Sequence, residues 1–275
     1  MTNSNFQINL RSIECFNNIS DSILDSLTSE SKIIKYKIGD IITQSDIIPD
    51  KILLILSGEV RLTTNYSTNT NTIDRLKSGI FIGLASFLKA IPCESTSAID
   101  DVTILSIPDK LILDLFESDS HFRNWCNTTI QPVEFYELFK TLFNNKEDQD
   151  YKILNNKLRA LLSFEVINNG EVLKTSDDTL KIIGSNNLLD FKIGDIPTSN
   201  QKIHTRGLLP ARIFSINRDA YNALINKERQ DKEDNSSKLS NIEIEDKKTF
   251  FNNSSLQIGQ YEPTKELKLI KATGI

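Results

Sequence analysis

Residues 51–64 read Lys51-Ile52-Leu53-Leu54-Ile55-Leu56-Ser57-Gly58-Glu59-Val60-Arg61-Leu62-Thr63-Thr64. Lys51–Leu56 is a nearly continuous aliphatic run bounded by turn residues, the pattern of a buried strand. Ser57-Gly58-Glu59 turns the chain. Val60 and Leu62 then alternate with Arg61 and Thr63, the period-two pattern of a half-buried strand. This stretch makes the fold mainly β.

Upstream, Lys32–Tyr36 is strand-like, Gly39-Asp40 turns, Ile41–Thr43 follows, and Pro49-Asp50 breaks the chain. Ser20 is placed as an N-cap, with Ile23, Leu24 and Leu27 on one helix face behind it. Downstream, Asn65–Asn71 is a polar hairpin tip and Lys77-Ser78-Gly79 a turn. After Pro92 come strands Ser95–Ile99 and Val102–Ile107, then a helix over Asp109–Glu117 with Leu111, Ile112 and Leu115 on one side. Short strands at roughly 8–12-residue spacing argue for a sandwich, barrel or jelly roll, here bracketed by helices.

Pro132 suits a helix start within Thr129–Asn145. Val133, Tyr136, Phe139 and Phe143 share its face and are expected to pack on the roll, to dock against another protein, or to cover the leucine face of the region that follows. Asn144–Asp150 is a polar linker. A helical pattern with Leu154, Leu158, Leu161 and Leu162 follows, then strand-like Val172–Thr175, Leu180–Ile183 and Arg212–Ile216, and a helix over Asp219–Lys227. Two echoes link the halves. Lys37-Ile38-Gly39-Asp40-Ile41 resembles Lys192-Ile193-Gly194-Asp195-Ile196, and Val102–Ile107 with its helix resembles Arg212–Ile216 with its own. Gln230–Ser255 is dense in charge and poor in apolar anchors, as a solvated linker is. The chain is therefore expected to divide into 1–145, a smaller α+β region at 151–229 in the form of an abbreviated roll, and a charged flexible tail at 230–275.

A net charge of −5 gives no general attraction to nucleic acid or anionic membrane. Cys15, Cys93 and Cys126 are odd in number and lack CxxC spacing, which argues against a disulfide framework or zinc site and for a reducing cytoplasm. The start, Met1-Thr2-Asn3-Ser4-Asn5, has no signal-peptide pattern, and no apolar run approaches the roughly 18 residues of a membrane span. There is no Gly-Lys-Ser/Thr phosphate loop and no Gly-x-Ser-x-Gly elbow. His121 and His204 have no ligand-spaced partners. No catalytic residue, cofactor or metal is expected.

Residues 33–117 resemble the cyclic nucleotide-binding domain family. Lys37-Ile38-Gly39-Asp40, Ile52–Leu62, Lys77-Ser78-Gly79-Ile80-Phe81-Ile82-Gly83 and Val102–Ile107 with its helix carry the likeness. It implies a β-roll flanked by helices, with a short helix near Gly83–Leu88. It also implies a pocket in which helix-start N–H groups cradle a phosphate, an arginine binds that phosphate, and a glutamate binds the ribose. Leu84 stands where the glutamate is expected and Cys93, beside Glu94, where the arginine is expected. Gly83, Leu84, Ala85, Cys93, Glu94 and Ser95 thus line a degenerate pocket, open to another small ligand or filled as core. Cyclic nucleotide should bind orders of magnitude more weakly than in the family.

Leu158–Leu162, Gly170-Glu171, Ile182–Asn186 and Leu208–Ile213 look like the amino-terminal part of bacterial peptidase-containing ABC peptide exporters. The chain has no peptidase motif, membrane span or ATPase loop, so it is expected to be that segment or a stand-alone remnant; the abrupt end at Thr273-Gly274-Ile275 fits truncation ahead of a further domain. The leading expectation is a cytoplasmic, non-catalytic regulatory or docking module, held at the inner membrane face by a transporter. Its partner is a protein: an ABC transporter, further domains of the same chain, or a second copy. Nucleic acid and direct membrane insertion are not expected. The alternatives are a small-molecule or divergent cyclic-nucleotide sensor and a Crp-type transcription regulator, which would need a basic recognition helix.

Overall fold

The computed structural model describes residues 10–66, 69–142, 158–224 and 226. Residues Met1–Asn222 form one compact unit and Ala223–Ile275 a second, of which few residues are described. The expected linker at Asn144–Asp150 and the tail from Gln230 lie outside the described residues.

Helix α1 (Asp21–Glu30) leads into strands β1 (Lys32–Tyr36), β2 (Ile41–Thr43), β3 (Lys51–Ser57), β4 (Val60–Tyr66), β5 (Asn69–Leu76) and β6 (Phe81–Ile82). Helix α2 (Leu84–Lys89) precedes β7 (Ser95–Ala98) and β8 (Val102–Pro108). Helices α3 (Asp109–Ser118), α4 (Ser120–Thr128) and α5 (Pro132–Leu142) follow. Two antiparallel sheets, ordered β1-β8-β3-β6 and β2-β7-β4-β5, make the roll. The expected fold class holds: antiparallel sheets with a few helices.

The aliphatic run of β3 has a simple cause. Ile52 and Leu54 pack in one core with Phe16, Leu24, Leu27, Phe81, Leu105, Phe116 and Phe122, under the helices. Leu53 and Ile55 face the other way, into the roll interior with Val60, Leu62, Leu76, Ala98 and Ile104. A strand covered on both faces has no position for a polar residue. Ser20 sits at the N-cap of α1 as expected, yet makes no side-chain cap bond; its Oγ lies 3.0 Å from Ser22 Oγ. The expected hairpin tip is shorter than read, because β4 reaches Tyr66 and β5 begins at Asn69.

The second region contains β9 (Leu162–Ile167), β10 (Val172–Leu173), β11 (Thr179–Ile183), β12 (Gln201–Lys202) and β13 (Ala211–Asn217). Leu162 belongs to β9, not to the expected helix, and Leu161 is 41% exposed. Helical spacing among the leucines hid the alternation of Leu162, Phe164 and Val166 with Ser163 and Glu165. Leu158 is buried as expected; Leu154 lies outside the described residues.

The strand pairings of the roll recur here. Central β13 lies between β9 and β11, as β8 lies between β1 and β3, and β10 pairs β12 as β2 pairs β7. The corner bonds recur too. Gly39 N–H donates to Ala98 C=O (2.9 Å) and Ala98 N–H to Asp40 C=O (2.9 Å); Gly170 and Ile203 do the same, with Glu171, at 2.8 and 2.8 Å. Gly79 N–H donates to Ile55 C=O and Gly194 N–H to Ile183 C=O, each at 2.8 Å. Hence Lys192–Asp195 occupies the corner equivalent to Lys77–Ile80, and the counterpart of Lys37–Asp40 is Asn168–Glu171. The expected echo of Lys37–Ile41 in Lys192–Ile196 reflects turn chemistry, not position. In three of these four turns an acid side chain takes its own turn's first N–H: Asp40 from Lys37 (2.7 Å), Asp195 from Lys192 (2.8 Å), Glu171 from Asn168 (2.8 Å). Only residues 184–193 join Ile183 to Gly194, where 56–78 join Ile55 to Gly79, so the second region has no β4–β5 hairpin. Residues 195–200 stand where the first region has β6 and α2, and they contain no helix.

Candidate functional site

The chain reaches the site from β6 through Gly83, whose φ of 88° belongs to the left-handed region. A Cβ there would lie 2.9 Å from Pro49 Cγ and 3.2 Å from Lys51 O, so glycine alone fits. Helix α2 follows, ends at Ala90 with φ 53°, and returns through Cys93 and Glu94 to β7.

All six residues expected at the site are brought together. Leu84 is fully buried in the helix-side core with Phe81 and Leu88, and Ala85 and Cys93 face the roll interior with Ile82 and Val133. Leu84 and Cys93, at the two positions where polar anchors were expected, are both buried among apolar side chains. Glu94 is only 5% exposed, and its Oε2 accepts from Ser86 N–H (3.2 Å) and Ser86 Oγ–H (3.0 Å). The Gly83 backbone also favours the charged form of this carboxyl. Ser86 Oγ in turn accepts from Cys93 N–H at 3.2 Å. The expected reading set Glu94 beside the anion position as a repelling charge. Its carboxyl instead occupies the start of α2 itself. Ser95 Oγ accepts from Ser45 N–H (3.0 Å), and Thr43 Oγ1–H donates to the Glu94 carbonyl (2.9 Å), tying the return strand to β2.

Burial pushes the Glu94 carboxyl up to about 7, partly countered by bonds from Ser86 and Gly83 and assisted by Glu134. Burial also pushes the Cys93 thiol up to about 12, with Lys89 opposing and Glu94 assisting. A thiol of that kind is protonated and inert at neutral pH.

Ser86, Glu134 and Arg212 were not expected at the site. Glu134 Oε2 accepts from Gln131 N–H (2.7 Å), reaching back over the first turn of α5. Arg212, on β13, is 1% exposed. Its Nε donates to Glu134 Oε1 (2.6 Å) and its Nη2 to Glu134 Oε2 (2.9 Å). Nη1 donates to Cys126 C=O (3.0 Å) and Nη2 also to Thr129 C=O (2.9 Å). The guanidinium thus sits between the carbonyl end of α4 and the acidic first turn of α5, where a cation is favoured on both sides. The Phe164 ring covers it, 4.4 Å from Cζ to centroid. A lone charge inside the apolar run Ala211-Arg212-Ile213-Phe214 was the sequence signal for a buried partner.

The expected stripe on α5 divides differently. Val133 packs into the roll, while contact with the second region runs through Glu134 and Phe135, whose ring is 6.4 Å from that of Phe214. The side chain of Phe139 and all of Phe143 lie outside the described residues. Among those residues no group of His, Cys, Asp and Glu could hold a metal ion, and no helix is long and apolar enough to cross a membrane.

Residues 33–119 match the cyclic nucleotide-binding domain family. Similar solved structures include the regulatory domain of Toxoplasma gondii PKA with cAMP, at 11% identity over 86% of this chain and 97% of that one, TM-score 0.40. The Thermus thermophilus catabolite activator protein matches at 21% over 40% of this chain and 53% of that one, TM-score 0.36. The sensor domain of the transcriptional regulator DNR from Pseudomonas aeruginosa matches at 14% over 43% and 85%, TM-score 0.39. No curated protein sequence matches the chain. The family match thus spans about a third of the chain, and none of the matches named is an ABC exporter.

Proposed function

We propose that this chain is a non-catalytic regulatory or docking module whose cyclic-nucleotide-type cassette is filled by its own Glu94. One observation carries the reading: the carboxyl of Glu94 takes the Ser86 N–H and hydroxyl at the start of α2, where an incoming phosphate would need them. A phosphate approaching that position meets a buried acid, with Leu84 and Cys93 in place of the polar anchors. By this reading residues 158–222 are a shortened second roll, without the hairpin and cassette helix, and the module's signal comes from a protein partner. The exporter resemblance of the second half names one such partner and rests on sequence motifs alone.

A small-molecule sensor is the second reading. It is favoured by an open apolar groove of about 320 Å³ lined by Ile41, Ile42, Thr43, Gln44, Ile47 and Pro49, next to the cassette through the Thr43–Glu94 bond. The Crp-type alternative would need a recognition helix, and the described residues after α5 build mainly strands β9–β13. Thermal unfolding with and without millimolar cAMP or cGMP tests the leading reading. A ligand at 100 times its Kd adds about 2.7 kcal/mol to stability. No rise in Tm is expected; a rise of several degrees would overturn it.

A further inference from the structure

Helix α5 and the cassette share packing. Val133 lies in the same core as Ile82, Ala85 and Cys93, and the next residue, Glu134, is close enough to Glu94 to influence its proton. Glu134 is held by Arg212 of the second region. That region reaches the cassette by another route. Ser185 Oγ accepts from Arg212 N–H (3.0 Å), and the adjacent Asn186 donates its N–H to the Lys89 carbonyl at the end of α2 (2.8 Å). Asn186 Nδ2 also lies 3.5 Å from the Ala90 carbonyl. One line of bonded groups, Arg212–Ser185–Asn186–Lys89, therefore joins the α4–α5 elbow to the far end of the cassette helix.

We propose that Arg212 makes the second region a latch on the cassette: while its guanidinium is seated in the α4–α5 elbow, α5 stays packed on α2 and the cassette is closed to outside groups. Unseating Arg212 leaves Glu134 as a buried carboxylate without its cation. The first turn of α5 must then move toward water, uncovering Val133 and the Cys93 side of the cassette. A partner that pulls on the second region would release α5 and the cassette together. The inference rests on the reading of the cassette as self-filled. Its test uses no nucleotide, so the latch can fail while the titration result stands, and the reverse.

Cys93 is the natural reporter, since it is buried in the core that Val133 of α5 joins, whereas Cys15 lies in the separate helix-side core. The full chain is treated with iodoacetamide at pH 8 and the alkylation rate at each cysteine is read by mass spectrometry. In Arg212→Met, Cys93 is expected to react at least about tenfold faster relative to Cys15, because exposure gates thiol reaction. Adding Glu134→Leu, which removes the stranded carboxylate, should return Cys93 toward its original rate. If Arg212→Met does not fold, Arg212→Lys decides, since lysine keeps the charge and loses the two-pronged grip; there too Cys93 should accelerate over Cys15. An unchanged Cys93 rate, or equal acceleration of Cys93 and Cys15, would overturn the latch.

Discussion

Arg212 and Glu134 meet with both guanidinium prongs on both carboxylate oxygens, at 2.6 and 2.9 Å, and neither side chain is more than 2% exposed. A pair so placed adds little over an apolar pair of the same shape, but breaking it strands a charge. Arg212→Met should therefore cost about 3–5 kcal/mol. For a unit of this size that lowers Tm by roughly 10 °C. Arg212→Met with Glu134→Leu should recover most of the loss. A double variant as unstable as the single one in calorimetry would mean that the cost comes from lost packing rather than stranded charge.

Gly184 predicts a second effect. A Cβ there would lie 2.5 Å from Phe214 Cε2 and 3.0 Å from Arg212 O, against the central strand of the second region. Gly184→Ala should cost about 1–3 kcal/mol by overpacking. Gly79→Ala meets no atom within 4 Å, so only its φ of 89° opposes it. Urea unfolding of the two variants should rank Gly184→Ala as the more damaging; the reverse order would show that Phe214 can give way.

Glu94 predicts a pH dependence. Its carboxyl titrates near 7 in the folded chain against an ordinary value of 4.5, so between these values the folded state holds a proton that the unfolded state has released. Its contribution is fully present below pH 4.5 and is lost as pH rises through 7. The loss is up to about 3 kcal/mol, at 1.36 kcal/mol per unit. Glu94→Gln keeps an acceptor for Ser86 and removes the titration. The stability difference between the two proteins should therefore shift in favour of Glu94→Gln from pH 5 to pH 8. A difference independent of pH would place the titration elsewhere.

Much of the first roll was legible because its strands announce themselves locally. The doubly covered β3 has no polar interruption, and Val60–Thr64 alternates cleanly. Helix α4 was not anticipated, since its one strong apolar pair, Phe122 and Trp125, sits among His121, Arg123 and Asn124. The loss of the two anchoring side chains could be read from Leu84 and Cys93. What could not be read was the destination of Glu94, because a carboxylate beside a missing arginine looks like repulsion until the turn at Ala90 brings it back over Ser86. The likeness of Lys37–Ile41 to Lys192–Ile196 misled for a related reason. A Gly-Asp corner closes on itself through local bonds, so its sequence says how the chain turns and not which strands it joins.

The self-filled cassette is tested most directly by titration calorimetry of the full chain with cAMP and with cGMP at pH 7.5. With Glu94 holding the Ser86 donors, and Leu84 and Cys93 packed as core, no heat of binding is expected at ligand concentrations up to about 100 μM. A dissociation constant near 1 μM, about −8 kcal/mol, would contradict the account, because a cyclic nucleotide would then have displaced a carboxyl that the chain itself places at the start of α2.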